Sequence, residues 1–207
     1  MQQTPAIQAK NLKELALAVA RDRGIARSRD FEAAGIPRIY LQRLRDQGLL
    51  TQPGRGLYAL ADGQISAHHS LAEAAKSVPN GVIGLLSALQ FHELTTQLPP
   101  QVWMLLPSKA WAPRRPPVTL KILRASGESL KAGVEQQLVD RVVVPITSPA
   151  KTVADCFKYR GKIGLDVAIE ALRDCMTKKR ATRDEIWRYA AIDRVQNVMR
   201  PYLEALS

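Results

Sequence analysis

Histidine and cysteine, the side chains that most often hold transition metals, are scarce in this chain, with three and two among 207 residues. His68 and His69 are neighbours, so on a helix they point in different directions, and His92 stands alone; none forms a metal-ligand pair. Cys156 and Cys175 each fall within a helical apolar pattern, which suits reduced, buried thiols in a cytoplasmic protein, with their pairing left open. No apolar run approaches the length of a membrane span, and no signal-peptide core opens the chain, so it is expected to stay in the cytoplasm. No glycine-rich phosphate loop follows a strand and no Gly-x-Ser-x-Gly elbow occurs. Neither an enzyme nor a cofactor is expected.

Acidic residues are also in short supply: 19 Asp and Glu face 30 Lys and Arg, leaving a formal charge of +11. That balance favours a polyanionic partner, because phosphate neutralisation supplies most non-specific nucleic-acid affinity. What is plentiful is apolar. At 46% hydrophobic, the chain has enough for two cores without external staples. The polar linker Ala61-Asp62-Gly63-Gln64 places a division at 62/63, giving domains 1–62 and 63–207.

The most informative stretch runs from Ile36 to Tyr58, a short basic helix leading straight into a glycine-turned hairpin. Pro37 suits a first helical position and Gly48 the position just past a helix end, which predicts a helix over 37–47. With Leu41 and Leu44 inward, a 100° step puts Ile39, Gln42, Arg43 and Asp46 on the far side, flanked by Arg38 and Tyr40. Arg pairs with guanine edges, Gln with adenine, and Ile can touch a thymine methyl. Strands are expected at 49–52 and 57–61, joined by Pro53 to Gly56 with Arg55 at the tip, where a cation can reach a phosphate or a minor groove. Arg38, Ile39, Tyr40, Gln42, Arg43, Arg45 and Arg55 are thus the candidate DNA-contacting residues. Two helices precede them. Asn11 with Glu14 spaces a cap for a helix over 12–23, with Leu12, Leu15, Ala16, Val19 and Ala20 as its apolar stripe. Ser28 can cap a shorter helix, with Phe31 and Ala34 inward and Gly35 closing it. This is the order of a winged helix-turn-helix.

Residues 1–62 hold 10 Lys/Arg against 6 Asp/Glu, so most of the positive charge lies downstream. Its candidate sources are Lys109, Arg114 and Arg115 in a proline-rich loop, and Lys178, Lys179, Arg180 and Arg183 near a helix end. Each group reads equally as a solvated connection or as cations on a helix dipole. From residue 63 the pattern is α+β: helices near 69–76 and 82–91, strands at 102–106, 118–123 and near 141–144, then helices to the end. Ser148 and Pro149 mark one helix start, with Gly161 as its expected stop, and Thr182 with Glu185 mark another. Asp155, Asp166 and Glu170 are the carboxylates that a metal-dependent nuclease would use, a minor alternative. A winged helix serving as a protein- or RNA-interaction module is the other.

Four segments in order, Gly54 to Tyr58, Ile146 to Phe157, Ala168 to Arg173 and Val198 to Leu206, give the chain a resemblance to the AbiEi antitoxins, the transcriptional regulators of type IV, abortive-infection toxin-antitoxin systems. The resemblance implies an N-terminal winged helix that represses its own operon on duplex DNA, with operator sites that can be inverted repeats. It also implies a C-terminal domain that counters a nucleotidyltransferase-like toxin without requiring a stable complex. The reading helix of the family falls on Pro37 to Gln47 and its wing on Leu49 to Ala61.

Overall fold

The computed structural model describes residues 5–206, with side chains from residue 11 onward. The fold is α+β and has two compact units. The first holds the described residues through Ser77, together with Arg114–Pro117 and Leu138–Val143. Helix 69–77, on the far side of the linker at 62/63, is therefore counted with it.

Along this unit run α1 (Pro5–Arg23), β1 (Ile25–Arg27), α2 (Ser28–Ala33), α3 (Arg38–Asp46), β2 (Leu50–Gly54), β3 (Leu57–Leu60) and α4 (His69–Ser77). The strands form one sheet in the order β1-β3-β2, with Ile25 opposite Ala59 and Leu50 opposite Leu60, both pairs antiparallel. Ala16, Ala20, Ala26, Phe31, Ile36, Leu41, Leu44 and Leu50 close the core. Two details differ from the sequence pattern. The helix runs through Asn11 instead of starting at it, and Leu15, expected inward, is 40% exposed, because the small Ala16 and Ala20 face the core. Ser28 is the first residue of α2 and not its cap; the Arg27 amide donates to Asp30 Oδ2 at 2.7 Å instead.

The second unit continues with β4 (Val82–Ile83), α5 (Leu85–Phe91), β5 (Val102–Pro107), β6 (Leu120–Ala125), α6 (Glu128–Lys131), β7 (Val134–Val139) and β8 (Val142–Thr147). After these come α7 (Pro149–Lys158), α8 (Arg160–Ile163), α9 (Leu165–Thr177), α10 (Arg183–Ile192) and α11 (Gln196–Glu204). The sheet order is β6-β5-β4-β8-β7. The helix expected over 82–91 is broken: Val82 and Ile83 are a strand in the middle of this sheet, and Gly84, fully extended, starts the helix at Leu85. A central strand is buried on both faces, so its short apolar run carries no alternation to distinguish it from a helix. Asp140 and Arg141, both at positive φ, turn β7 into β8, and this tip belongs to the first unit. There Asp140 Oδ2 lies 2.7 Å from His69 Nδ1. Burial opposes its charge, but bonds from His69 and Ser66 outweigh that and hold the carboxyl below its usual range.

Helix α7 lies at the centre of the second core and packs against α5, α9 and α10. Ser148 caps it and Pro149 opens it, as the sequence predicts, and every residue from Ala150 to Phe157 is buried. It ends at Lys158; Gly161 falls inside the short α8, and Gly164 at positive φ makes the stop. Cys156 and Cys175 are free and buried, and burial raises both thiols. Among the described residues, no helix is long and apolar enough to cross a membrane.

Inside this core sits an ionic cluster. Lys151 Nζ donates to Asp155 Oδ1 at 2.5 Å and to Asp193 Oδ2 at 2.9 Å, and all three side chains are wholly buried. Asp193 Oδ1 accepts from Ser129 Oγ at 2.5 Å and from Lys158 Nζ at 3.2 Å. The cluster thereby ties α6, α7 and the end of α10 together. Burial opposes the charge of Lys151, but the two carboxylates outweigh it and hold its pKa above the ordinary value. Gly133 makes room for this lysine: a Cβ there would lie 2.7 Å from Lys151 Cβ and 2.9 Å from the Tyr189 ring, at a φ of +67°.

Replacing Lys151 by Met leaves Asp155 buried without its cation and Asp193 with Lys158 alone, and a loss of about 3–5 kcal/mol in urea unfolding is expected; a loss below about 1 kcal/mol would show the cluster to be dispensable. Asp155 supplies a pH signature. Burial pushes its carboxyl from the ordinary 3.8 up to about 7, with Lys151 only partly opposing this. A raised folded-state pKa gives stability that is complete below the unfolded value of 3.8 and is lost as pH rises through about 7. The melting temperature should therefore fall between those values more steeply than in Asp155→Asn, and parallel curves would refute the assignment.

Candidate nucleic-acid interface

Helix α3 is held at both ends by backbone bonds. Helix α2 closes with the Gly35 amide on Glu32 O and the Ile36 amide on Phe31 O, each at 2.9 Å, which forces a tight turn into α3. Pro37, with ψ near 145°, is the cap of α3 and not its first residue, so the helix is Arg38–Asp46, one residue shorter at each end than the spacing predicts. At the other end the Leu49 amide reaches back to Leu44 O at 2.9 Å around Gly48, whose φ of +70° favours glycine. The chain passes at once into β2.

The wing is fixed to the same body. Its strands pair with a bulge between Thr51 and Gly54, and Arg55 and Gly56 make the turn. The Ser28 amide donates to Gly56 O at 2.9 Å, and Tyr58 meets Phe31 edge-on with ring centroids 5.8 Å apart. These contacts set the position of Arg55 relative to α2. The three-residue β1, which pairs with β3 and completes the sheet, has no signal in the sequence because it is too short for a period.

Leu41 and Leu44 are buried, and the opposite face of α3 is open. Ile39 is 60% exposed, and Gln42 and Arg43 are exposed with no ion pair among the described residues. The other predicted contacts divide. Tyr40 is half-buried and packs against the core. The exposed Arg38 guanidinium is paired with Glu32 of α2, which raises its pKa further. Arg45 bridges to the wing, donating to Gln52 Oε1 at 2.8 Å, and also pairs with Asp46 at 3.3 Å. Arg55 stands exposed at the wing turn, without a carboxylate partner among the described residues.

The downstream cations separate as well. In the second unit Lys178 binds Asp174 at 2.7 Å and Glu93 O at 2.6 Å, Arg180 binds Glu93 Oε2 at 2.8 Å, and Arg183 binds Leu203 O. These three serve the fold's own acceptors, whereas Lys179 and Lys109 are exposed. Arg114 and Arg115 are exposed and belong to the first unit. Of the three carboxylates, Asp166 is exposed and Glu170 half-buried on α9. Asp155 is sealed against Lys151, and no group of three or more His, Cys, Asp or Glu residues among those described is placed to hold a metal. His92 Nε2 donates to Thr147 O at 2.7 Å, and burial lowers its pKa.

Comparison with solved structures gives the RV2827C protein from Mycobacterium tuberculosis, with a TM-score of 0.57 and 16% identity, covering all of this chain and 82% of that one. An identity that low speaks for the fold alone. No curated protein matches the chain. The family model that does match is described as a transcriptional regulator, the AbiEi antitoxin, and it spans residues 14–61. That span runs from within α1 to the end of the wing, so the resemblance drawn from the sequence is met by the family model in the segment that forms the winged helix.

Proposed function

We propose that this chain is a sequence-specific repressor of duplex DNA, acting as the antitoxin of a type IV system and controlling its own operon. The observation that carries the reading is the open face of α3: Ile39, Gln42 and Arg43 project from a helix locked at both ends, with Arg55 held on the adjoining wing. Preorganisation matters here. A helix whose backbone is already fixed presents its side chains to base edges without the cost of ordering that backbone on binding. Gln42 and Arg43 are the base readers in this reading, Ile39 meets a thymine methyl, and Arg55 takes a phosphate or the minor groove. The antitoxin role rests on the family match over 14–61, and the resemblance implies a nucleotidyltransferase-like toxin as the functional partner of the second unit.

Footprinting the protein on the DNA upstream of its own gene tests autoregulation directly: a protected site is expected, and its absence would remove the repressor reading. Only weak, sequence-blind binding that vanishes at moderate salt would favour an interaction module instead.

Two substitutions separate the roles of the helix residues. Arg43→Ala is expected to weaken the preferred operator by about 1–3 kcal/mol while leaving the fold intact. Equal loss on every sequence would make Arg43 a phosphate contact. Glu32→Gln releases Arg38 from its partner, and tighter binding with a salt dependence steeper by about one counterion is expected in gel-shift titrations. An unchanged slope would mean that Arg38 meets no phosphate.

A further inference from the structure

We infer that Arg114 and Arg115 form a second duplex-DNA contact beside the wing, gripping the phosphate backbone next to the groove that Arg55 meets. The inference rests on the DNA-binding reading above and extends its surface to a segment far from it in sequence.

The starting point is where the segment folds. Arg114–Pro117 leaves its sequence neighbours and joins the winged-helix unit. Its anchor is Pro117, which lies over Gly54: a Cβ built on Gly54 would be 3.3 Å from Pro117 Cδ and 3.5 Å from Cγ. Gly54 is the last residue of β2, directly before Arg55 at the wing turn. Since an extended residue spans at most about 3.6 Å, the Arg115 and Arg114 backbones lie within roughly 7 and 11 Å of that proline. Pro116 and Pro117 fix φ on both sides of their junction, so the arginines leave the wing on a stiff arm.

Charge completes the case. Both guanidiniums are exposed and, unlike Arg38, Arg45, Lys178 and Arg180, neither has a carboxylate partner among the described residues. No Asp or Glu occurs anywhere between Glu93 and Glu128, so this stretch is basic without local compensation. Two adjacent free arginines next to a cationic wing match neighbouring phosphates, which accept the planar guanidinium with two parallel bonds. A contact to phosphate carries no base information, so it is blind to sequence.

The test uses the full chain and two duplexes, the DNA upstream of its own gene and an unrelated sequence, titrated from about 50 to 200 mM salt. For Arg114→Ala/Arg115→Ala the slope of log affinity against log salt should flatten by about 1.8 on both duplexes, at about 0.9 per phosphate. The ratio between the duplexes should be unchanged, and the corresponding double lysine variant should keep most of the slope. A slope equal to wild type in the alanine variant overturns the contact while leaving the repressor reading intact. A changed ratio between duplexes overturns its assignment to phosphate. If the wild-type chain binds neither duplex, the DNA-binding reading fails and this extension fails with it.

Discussion

The ammonium of Lys151 is the point on which the second unit is organised. It is shut away from water with Asp155 and Asp193 as its partners, and Asp193 in turn holds Ser129 and Lys158. A buried charge is tolerable only where its partners are in place, so the positions of α6, α7 and the end of α10 are specified together. The absence of a side chain on Gly133 leaves room for this lysine. Hydrophobic packing alone would allow these helices to slide by small amounts. An ion pair with 2.5 to 2.9 Å contacts is far less permissive.

The first unit follows a different logic, in which charge is displayed or withheld by hydrogen bonding. The net charge of +11 points to a polyanion without saying where it would touch. Arg45 is committed to the seam between α3 and the wing, and Arg38 to Glu32. On α3 and the wing, what is left open is the outer face of the helix and the turn of the hairpin, and Arg114 and Arg115 are exposed in the same unit. Three backbone devices position that face, at Gly35, Pro37 and Gly48, and all three lie within two residues of an end of α3 or α2.

Much of this unit is legible from residue order because its signals are local. Leu41 and Leu44 inward, Ile39, Gln42 and Arg43 outward, and the glycine-turned hairpin all follow from the helical step and turn chemistry, and the structure has each of them in that place. The capping pairs at Ser148 and at Thr182 with Glu185 are legible for the same reason. Legibility fails where an element is short or two-sided. β1 has three residues, β4 is a buried pair, and β7, with Glu135 and Gln136 exposed on a sheet edge, lacks the apolar alternation that marks a strand. Tyr40 shows the limit for the site: it flanks the open face by angle, yet its ring turns to the core.

Sequence by itself determined the order of elements in the winged helix, the polarity of α3 and the excess of positive charge, since each depends on neighbours within a few residues. Tertiary structure decided which charges are free. Glu32 and Gln52 neutralise or hold arginines on α3 from other elements, Glu93 does the same for Arg180 from 87 residues away, and Asp155, readable as a metal ligand, becomes the buried partner of Lys151. Pro117 reaches Gly54 across 63 positions and carries two arginines with it. The physical reason is one of range: helix and turn preferences act over a few residues, whereas the fate of a charge depends on whatever the fold brings within hydrogen-bonding distance.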